Sequence, residues 1–183
     1  MPLKEPITFL SCDWGTTAFR LRAVAKDFSI VAEVSSKQGI AEVFDKWKSE
    51  GGGDQGRVAF YRAVIESHLQ ELHTKLSDDI SGLPLLISGM ASSNIGMMEL
   101  PYKAAPFLLD GSDLQVKEIP PCETCPHPIL LISGVRTDDD VMRGEEVQVV
   151  GCDIPSNNDE LLIIHPGTHC KHIVVKGDKV PSF

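Results

Sequence analysis

The stretch "FLSCDWGTTAFRL", residues 9–21, places an acidic residue, a glycine and two threonines between two apolar segments. The apolar and β-branched residues on either side predict two strands, and Gly15-Thr16-Thr17 predicts a tight turn between them. A second stretch, "LLIIHPGTHCKHIVV" at residues 161–175, has the same order of strand, Gly-Thr turn and strand. The sequence therefore contains two similar hairpins.

The two turns indicate phosphate binding. A glycine lets the backbone approach a ligand closely, successive amide groups around such a turn form an anion-binding nest, and the threonine hydroxyls add donors. Asp13 would then hold a Mg²⁺ ion, directly or through water, that neutralises the phosphates. Either turn alone is more typical of an ordinary hairpin, in which Asp13 would be an Asx-turn aspartate. The occurrence of two such turns favours a pair that clamps a polyphosphate.

Composition limits the classes of partner. The chain has 183 residues and 42% hydrophobic content, enough for one well-buried domain and the beginning of a second. Its formal net charge of -9 argues against nucleic-acid binding, which needs clustered Lys and Arg. No apolar run approaches the ~20 residues that cross a bilayer, and the amino terminus lacks a leader pattern. We therefore expect a cytoplasmic protein without a membrane partner.

Periodicity predicts an α/β fold with ligand loops at strand ends, built on a mixed, mostly parallel sheet. The predicted strands are residues 7–12, 19–25 and 30–34, which form an antiparallel meander, followed by 83–88, 129–133 and 161–164. The predicted helices are residues 57–76, which are amphipathic, and 141–152, which follow the acidic run Asp138 to Asp140. Residues 39–56, with Gly51-Gly52-Gly53, are interpreted as a flexible surface loop.

Four motifs in order resemble one family. "DWGTT" (13–17), "SGMASSNIG" (88–96), "DVMRGEEVQ" (140–148) and "PGTHCK" (166–171) are together similar to the 2-keto-3-deoxygalactonokinase family of the actin-like ATPase superfamily. The resemblance implies an actin-like ATPase (ribonuclease H-like) lobe with a mixed sheet, three antiparallel opening strands and flanking helices. It also implies phosphorylation of the 6-hydroxyl of 2-dehydro-3-deoxy-D-galactonate, with ATP and Mg²⁺.

The resemblance also implies the site residues. Residues matching the two phosphate loops are Asp13, Gly15, Thr16, Thr17, Gly167 and Thr168, and those matching the sugar-acid site are Ser92, Ser93, Asn94 and Arg143. A guanidinium such as that of Arg143 can grip a carboxylate with two hydrogen bonds. Asp140 is the expected catalytic base, with Glu145 second, although Asp138 to Asp140 also suit the amino terminus of a helix.

The resemblance further implies a second lobe that supplies the adenosine pocket. Residues 1–160 would then be the sugar-binding lobe and 161–183 the start of the nucleotide lobe, so we expect a truncated or split product. Such a chain by itself would be inactive and would self-associate through the face of the missing lobe. The alternative function is a non-catalytic actin-like fragment that binds a ligand or partner.

A structural zinc site is a competing interpretation of the cysteines. Cys122, Cys125 and His127, with His169, Cys170 and His172 later in the chain, could supply thiolate and imidazole ligands. The second group is not a CxxC pair, and it falls in the predicted phosphate hairpin. A proline-rich loop with inert thiols is the simpler explanation.

Overall fold

A computed structural model describes residues 5–53, 56–154, 160–166 and 170–183. The chain divides into two compact units, the first comprising residues 1–100 and 116–132 and the second residues 101–115 and 133–183. These boundaries differ from those of the predicted lobes, 1–160 and 161–183. The assignment of lobes stays a prediction about the architecture of a kinase.

The described residues contain short strands and three α-helices. The strands are β1 (Ile7–Trp14), β2 (Phe19–Ala25), β3 (Ile30–Ser36), β4 (Leu85–Gly89), β5 (Lys103–Ala104), β6 (Phe107–Leu108), β7 (Val116–Ile119), β8 (Ile129–Ile132), β9 (Val135–Arg136), β10 (Val141–Met142), β11 (Glu160–His165), β12 (Lys171–Lys176) and β13 (Lys179–Ser182). The helices are α1 (Ile40–Ser49), α2 (Arg57–Thr74) and α3 (Glu145–Val150), and a 3₁₀ turn spans Met90–Ser92. The chain is thus a mixed α/β protein with few helices.

The first unit contains a six-stranded sheet in the order β3-β2-β1-β4-β8-β7. The opening strands β1, β2 and β3 are antiparallel neighbours, so the predicted meander is confirmed. Parallel pairing is limited to β1 with β4 and β4 with β8, since β7 runs antiparallel to β8. The sheet is mixed as predicted, but the expectation that it is mostly parallel is wrong, because the short hairpin connections at its two ends enforce antiparallel pairing.

Alternating burial explains why the first strands pack as they do. Leu10, Cys12 and Trp14 on β1 are buried, and they lie two residues apart on the face that meets the core. On α2 the buried residues Tyr61, Ile65, Leu69 and Leu72 recur at helical spacing and belong to the same core. The amphipathic helix predicted for residues 57–76 is therefore confirmed, ending two residues earlier.

Helix α1 replaces part of the loop predicted for residues 39–56. Ile40, Val43 and Trp47 are its buried residues, spaced by three and four positions. The loop prediction was wrong. Between Gly39 and the glycine run at 51–53, only these three buried apolar residues mark the helix, so its sequence pattern is weak. Tertiary packing of those residues decides the helix, as is usual for short helices.

The second unit contains two small sheets, ordered β10-β9-β5 and β11-β12-β13-β6. The hairpin of β11 and β12 pairs residues 160–165 with residues 171–176 in antiparallel register, which confirms the second predicted strand pair. A separate core of buried residues holds this unit together: Phe107, Val135, Met142, Val149, Ile173, Val175 and Val180.

The predicted helix over residues 141–152 is shorter than expected. Val141 and Met142 form β10, which pairs with β9, and α3 begins only at Glu145. Gly144, with a φ of 110°, separates the strand from the helix. Asp140 consequently precedes a strand and does not lie at a helix amino terminus.

Across the described residues, no helix is long and apolar enough to cross a membrane.

Candidate functional site

The turn between β1 and β2 presents its threonines to solvent. The amide of Gly15 donates to the Ala18 carbonyl at 2.9 Å and closes the turn. Thr16 and Thr17 are exposed, and their hydroxyls make no hydrogen bond within the described part of the chain. Both hydroxyls are therefore available to a ligand.

Helix α1 supports this turn from behind. Its first two amides, from Ile40 and Ala41, donate to the carbonyls of Gly15 and Thr16 at 2.9 and 3.1 Å. A Cβ atom at Gly39 would lie 2.2 Å from the Thr16 carbonyl oxygen, so only glycine allows this approach. The carbonyls of the turn thus face the helix.

Asp13 lies at the end of β1 in an ion pair. Its Oδ2 accepts a hydrogen bond from Arg20 Nη1 at 2.8 Å, and the two residues face each other across the hairpin. The Asp13 side chain is 31% exposed. Carboxylate oxygens suit Mg²⁺, which usually binds one or two carboxylates and keeps several waters. Asp13 fits that role, provided that Arg20 shares the carboxylate or moves away.

The loop after β4 meets Asp13 at the same edge of the sheet. β1 and β4 are parallel, with Asp13 opposite Ser88 and Trp14 opposite Gly89. A Cβ atom at Gly89 would lie 2.7 Å from the Trp14 carbonyl oxygen and 3.5 Å from Asp13 Oδ1. The first phosphate turn and the predicted sugar-acid loop therefore lie side by side, at the carboxyl ends of parallel strands where α/β proteins bind ligands.

The three predicted residues of that loop differ in exposure. Ser92 and Ser93 are buried, and the Ser93 hydroxyl donates to the Met90 carbonyl at 2.7 Å. Asn94 is exposed. Of the three side chains, that of Asn94 is the most exposed to a ligand, while the hydrogen bond of Ser93 closes the turn back on Met90.

Two residues of α2 fix the position of this loop, and the sequence reasoning missed both. Arg57 Nη2 donates to the carbonyl of Asn94, and Tyr61 Oη donates to the carbonyl of Ile95 at 2.5 Å. The Arg57 guanidinium also lies 5.1 Å from the ring centre of Trp47 on α1. The helical pattern of residues 57–76 contains no signal for this contact of Tyr61, because the hydrogen bond joins residues 34 positions apart.

In the second unit, the structure brings Asp140 to Lys171, which lies in the residue pair next to the turn of the β11–β12 hairpin. Lys171 Nζ lies 2.6 Å from each carboxylate oxygen of Asp140 and donates also to the Val141 carbonyl at 2.7 Å. The Lys171 side chain is 8% exposed and that of Asp140 44% exposed. Asp140 therefore keeps an open side toward solvent. Gly167 and Thr168, predicted for the second phosphate turn, lie outside the described residues.

The other predicted residues of the second unit lie around the Gly144 turn. The Arg143 guanidinium lies 4.2 Å from the ring centre of Tyr102, and the Arg143 amide donates to Glu145 Oε2 at 2.9 Å. Glu145 is thus engaged in holding the turn. A cavity of about 160 Å³ opens nearby, and its lining includes Arg136, Thr137 and Asp138.

Glu146 has a strongly perturbed environment. It is fully buried, and both carboxyl oxygens accept hydrogen bonds from the Gly144 amide, at 2.9 and 2.8 Å. Burial raises its pKa to about 8, against the lowering effect of the Gly144 amide. Nothing in the sequence distinguishes Glu146 from its neighbour Glu145.

The competing zinc interpretation finds no support in the described ranges. They contain no cluster of three His, Cys, Asp or Glu side chains that could hold a metal ion. His127 is buried, and its Nδ1 donates to the Leu83 carbonyl at 2.9 Å. His169, part of the second candidate group, lies outside the described residues.

Comparisons with known proteins agree on one family. A family model described as 2-keto-3-deoxy-galactonokinase matches residues 13–183. The 2-dehydro-3-deoxygalactonokinase of Escherichia coli (strain K12) is 31% identical over 181 residues, and a "Probable 2-dehydro-3-deoxygalactonokinase" of Rhizobium meliloti (strain 1021) is 27% identical over 179 residues. Each alignment covers 96% of this chain and 52% of the relative, so the chain spans about half the length of these curated relatives.

A solved structure is similar over nearly the whole chain. It is the crystal structure of a candidate 2-dehydro-3-deoxygalactonokinase protein from Sinorhizobium meliloti, with a TM-score of 0.74 and 26% sequence identity. The similarity covers 95% of this chain and 51% of that one.

Proposed function

The chain belongs to the 2-keto-3-deoxy-galactonokinase family, and from this membership we propose that it forms the amino-terminal portion of an ATP-dependent sugar-acid kinase. Its substrate is 2-dehydro-3-deoxy-D-galactonate, which it phosphorylates on the 6-hydroxyl. We further propose that this portion is an actin-like ATPase lobe, a proposal that its mixed α/β architecture with three antiparallel opening strands supports.

One observation carries the proposal beyond family membership. The parallel pairing of β1 with β4 sets the Gly15–Ala18 turn and Asp13 beside the loop that carries Asn94, within one compact unit. A phosphate-binding turn adjacent to a polar loop is the arrangement needed to hold a phosphoryl donor next to a hydroxylated acceptor. Exposed Thr16, Thr17 and Asn94 supply the donors and acceptors.

In this proposal the first unit binds and orients the two substrates. The amides and hydroxyls of residues 15–17 hydrogen-bond phosphate oxygens, and Asn94 hydrogen-bonds hydroxyl groups of the sugar acid. Mg²⁺ held through Asp13 supplies charge neutralisation for the phosphates. Gly167 and Thr168, which lie outside the described residues, are assigned to phosphate binding by the family resemblance alone.

The family resemblance assigns the base to Asp140 and the partner of the substrate carboxylate to Arg143. Asp140 accepts the proton of the attacking hydroxyl, because it is a half-exposed carboxylate held in place by Lys171. Arg143 pairs with the carboxylate of the sugar acid. Glu145 ranks second as a base, since its carboxylate is already bound to the Arg143 amide.

Binding and turnover are tested separately. We expect calorimetry to show binding of 2-dehydro-3-deoxygalactonate to the chain, weakened roughly tenfold by Asn94→Ala, the loss of about one hydrogen bond to the ligand. Gln70→Ala, at an exposed position on α2, is the matched control and should leave binding unchanged.

Turnover is followed as ADP release in a kinase that carries this sequence, with ³¹P and ¹H NMR to identify the phosphorylated hydroxyl. Phosphate at another hydroxyl would overturn the assigned position. Binding of the sugar acid without any ADP release would favour a non-catalytic ligand-binding protein, and no binding at all would contradict both functions.

A further inference from the structure

Cys122 and Cys125, which the proposed phosphoryl transfer does not use, face each other in the loop between β7 and β8. The amide of Cys122 donates to the Cys125 carbonyl at 2.9 Å, and the amide of Cys125 donates back to the Cys122 carbonyl at 3.1 Å. The two residues thus form an isolated antiparallel bridge closed by Glu123 and Thr124. Both thiols are free.

This pairing places the cysteines within reach of a disulfide bond. Directly opposed, hydrogen-bonded residues of an antiparallel pair have Cα atoms about 5.5 Å apart, and their side chains leave the same face. Disulfides join residues whose Cα atoms are roughly 4.4–6.8 Å apart. Closing the bond requires little movement of the backbone.

The two thiols differ in the way that thiol–disulfide exchange requires. Cys122 is partly exposed, and its Sγ lies 3.4 Å from Thr124 Oγ1, a contact that is the main cause of its lowered pKa. The positive charge of Arg62 acts in the same direction. Cys125 is buried, which raises the pKa of its thiol. An exposed thiolate attacks first, and a buried thiol resolves the intermediate.

Contacts on both sides hold the turn in place. Arg62 on α2 donates from Nη2 to the carbonyl of Pro120, just before the pair. Buried His127, just after it, is bonded to the Leu83 carbonyl. Because both flanks are fixed to the same unit, the thiols stay close together in the reduced protein.

We propose that Cys122 and Cys125 form a dithiol site that exchanges with small-molecule disulfides. The Cys122 thiolate attacks one sulfur of the disulfide RS–SR, forming a mixed disulfide and releasing RS⁻. Cys125 then loses its proton and attacks Cys122 Sγ, which breaks the mixed disulfide and releases the second RS⁻. The balance is two protein thiols and one RS–SR to one protein disulfide and two RSH, so the protein is oxidised and RS–SR is reduced.

The test uses oxidised glutathione as the probe. After incubation of the folded chain, alkylation and peptide mass mapping, we expect a Cys122–Cys125 disulfide, seen as a peptide lacking two hydrogens, and its reversal by dithiothreitol. Cys122 should react roughly threefold or more faster than exposed Cys152 and Cys170.

Single variants separate the two roles. Cys125→Ser should stop as a glutathione adduct on Cys122, whereas Cys122→Ser should leave Cys125 unmodified. The double variant Cys152→Ser, Cys170→Ser is the control and should form the disulfide as the unaltered chain does. Circular dichroism shows whether each variant folds. If a variant does not fold, the reaction of the unaltered chain with oxidised glutathione still tests the proposal. A persistent glutathione adduct on Cys122 in the unaltered chain, or reaction confined to Cys152 and Cys170, overturns the proposal.

Discussion

At the scale of single residues, three carboxyl groups close together in the sequence have three different environments. Asp140 is half-exposed and forms an ion pair with Lys171. Glu145 accepts a hydrogen bond from the Arg143 amide, whereas Glu146 is buried and accepts one from the Gly144 amide. A base needs an ionised carboxylate with access to the substrate. That requirement favours Asp140 for catalysis and leaves Glu146 a structural role.

Replacing Asp140 with asparagine in a kinase that carries this sequence should lower kcat by roughly 10²-fold or more, because the general base is lost. Affinity for the sugar acid should stay within about tenfold. Asp139→Asn is the matched control, since Asp139 is the exposed neighbour in the same acidic run. Steady-state kinetics measure both quantities. Unchanged turnover in Asp140→Asn would contradict Asp140 as the general base and favour Glu145.

Glu146 makes the stability of the fold depend on pH. Its pKa is about 8 in the folded chain against 4.5 as the ordinary value, so its contribution to stability is full below about pH 4.5 and is lost as pH rises through 8. At about 1.36 kcal/mol per unit the loss reaches up to roughly 5 kcal/mol.

We expect Glu146→Gln to remove most of this loss, so that urea unfolding at pH 9 shows the variant to be more stable than the unaltered chain. Glu118→Gln, at an exposed position on β7, should keep the original pH dependence. Equal slopes of unfolding free energy against pH in the unaltered chain and Glu146→Gln would contradict the assignment.

At the scale of elements, the carboxyl ends of β1 and β4 decide where the candidate site forms. The 3₁₀ turn at Met90–Ser92 starts at Gly89, whose φ of 87° and ψ of -149° are open only to glycine. Arg57 and Tyr61 of α2 then hold the loop through the carbonyls of Asn94 and Ile95. The loop is thus positioned by rigid elements on both sides.

Gly89→Ala should destabilise the chain by about 3 kcal/mol or more, because the added Cβ meets the Trp14 carbonyl oxygen at 2.7 Å in addition to the backbone strain. Gly53→Ala is the control, since a Cβ atom there meets nothing within 4 Å. Urea unfolding measures both variants. If Gly89→Ala lowered the free energy of unfolding as little as Gly53→Ala, the close contact between Gly89 and the Trp14 carbonyl would be contradicted.

At the scale of the whole molecule, the chain consists of two compact units with separate cores. The predicted phosphate turn and sugar-acid loop belong to the first unit, and Asp140 and Arg143 to the second. The curated relatives are about twice as long as the chain. The activity of the family is therefore proposed for a kinase that carries this sequence.

We expect the 183-residue chain by itself to transfer phosphate at less than about 0.01 per second, far below the 1–1000 per second typical of enzymes. The reason is that the chain spans about half the length of its curated relatives, and phosphoryl transfer needs closure around the substrate with water excluded, which the resemblance assigns to a second lobe. A coupled ADP assay with Mg-ATP and the sugar acid measures the rate. Turnover near one per second would show that the chain is sufficient.

Self-association of the chain is expected through β11. Leu162 and Ile164 on this edge strand are 60% and 58% exposed, and such apolar edges favour contact with a second copy. Sedimentation should show concentration-dependent dimers, reduced by Leu162→Thr combined with Ile164→Thr. Thr is chosen because it retains strand propensity. Purely monomeric sedimentation of the unaltered chain at high concentration would contradict this expectation.

The sequence by itself determined the local elements and the family. Segments rich in apolar and β-branched residues predicted β1 to β3 and the β11–β12 hairpin, helical spacing predicted α2, and four ordered motifs indicated the 2-keto-3-deoxygalactonokinase family. These signals come from residues close together in the chain, because the pattern of apolar residues within one strand or helix reflects its own geometry. No such pattern marked the short helix α1 or the position at which α3 begins.

Only the tertiary structure decided which side chains meet. Asp13 lies beside Gly89 because β1 and β4 pair in parallel, and Asp140 meets Lys171 from 31 residues away. Glu146 differs from Glu145 in its complete burial and in the amide that it binds. Each of these facts depends on strand register or desolvation, which arise from contacts between distant parts of the chain. Periodicity cannot encode such contacts, because it repeats within a few residues while the contacts depend on how whole elements pack.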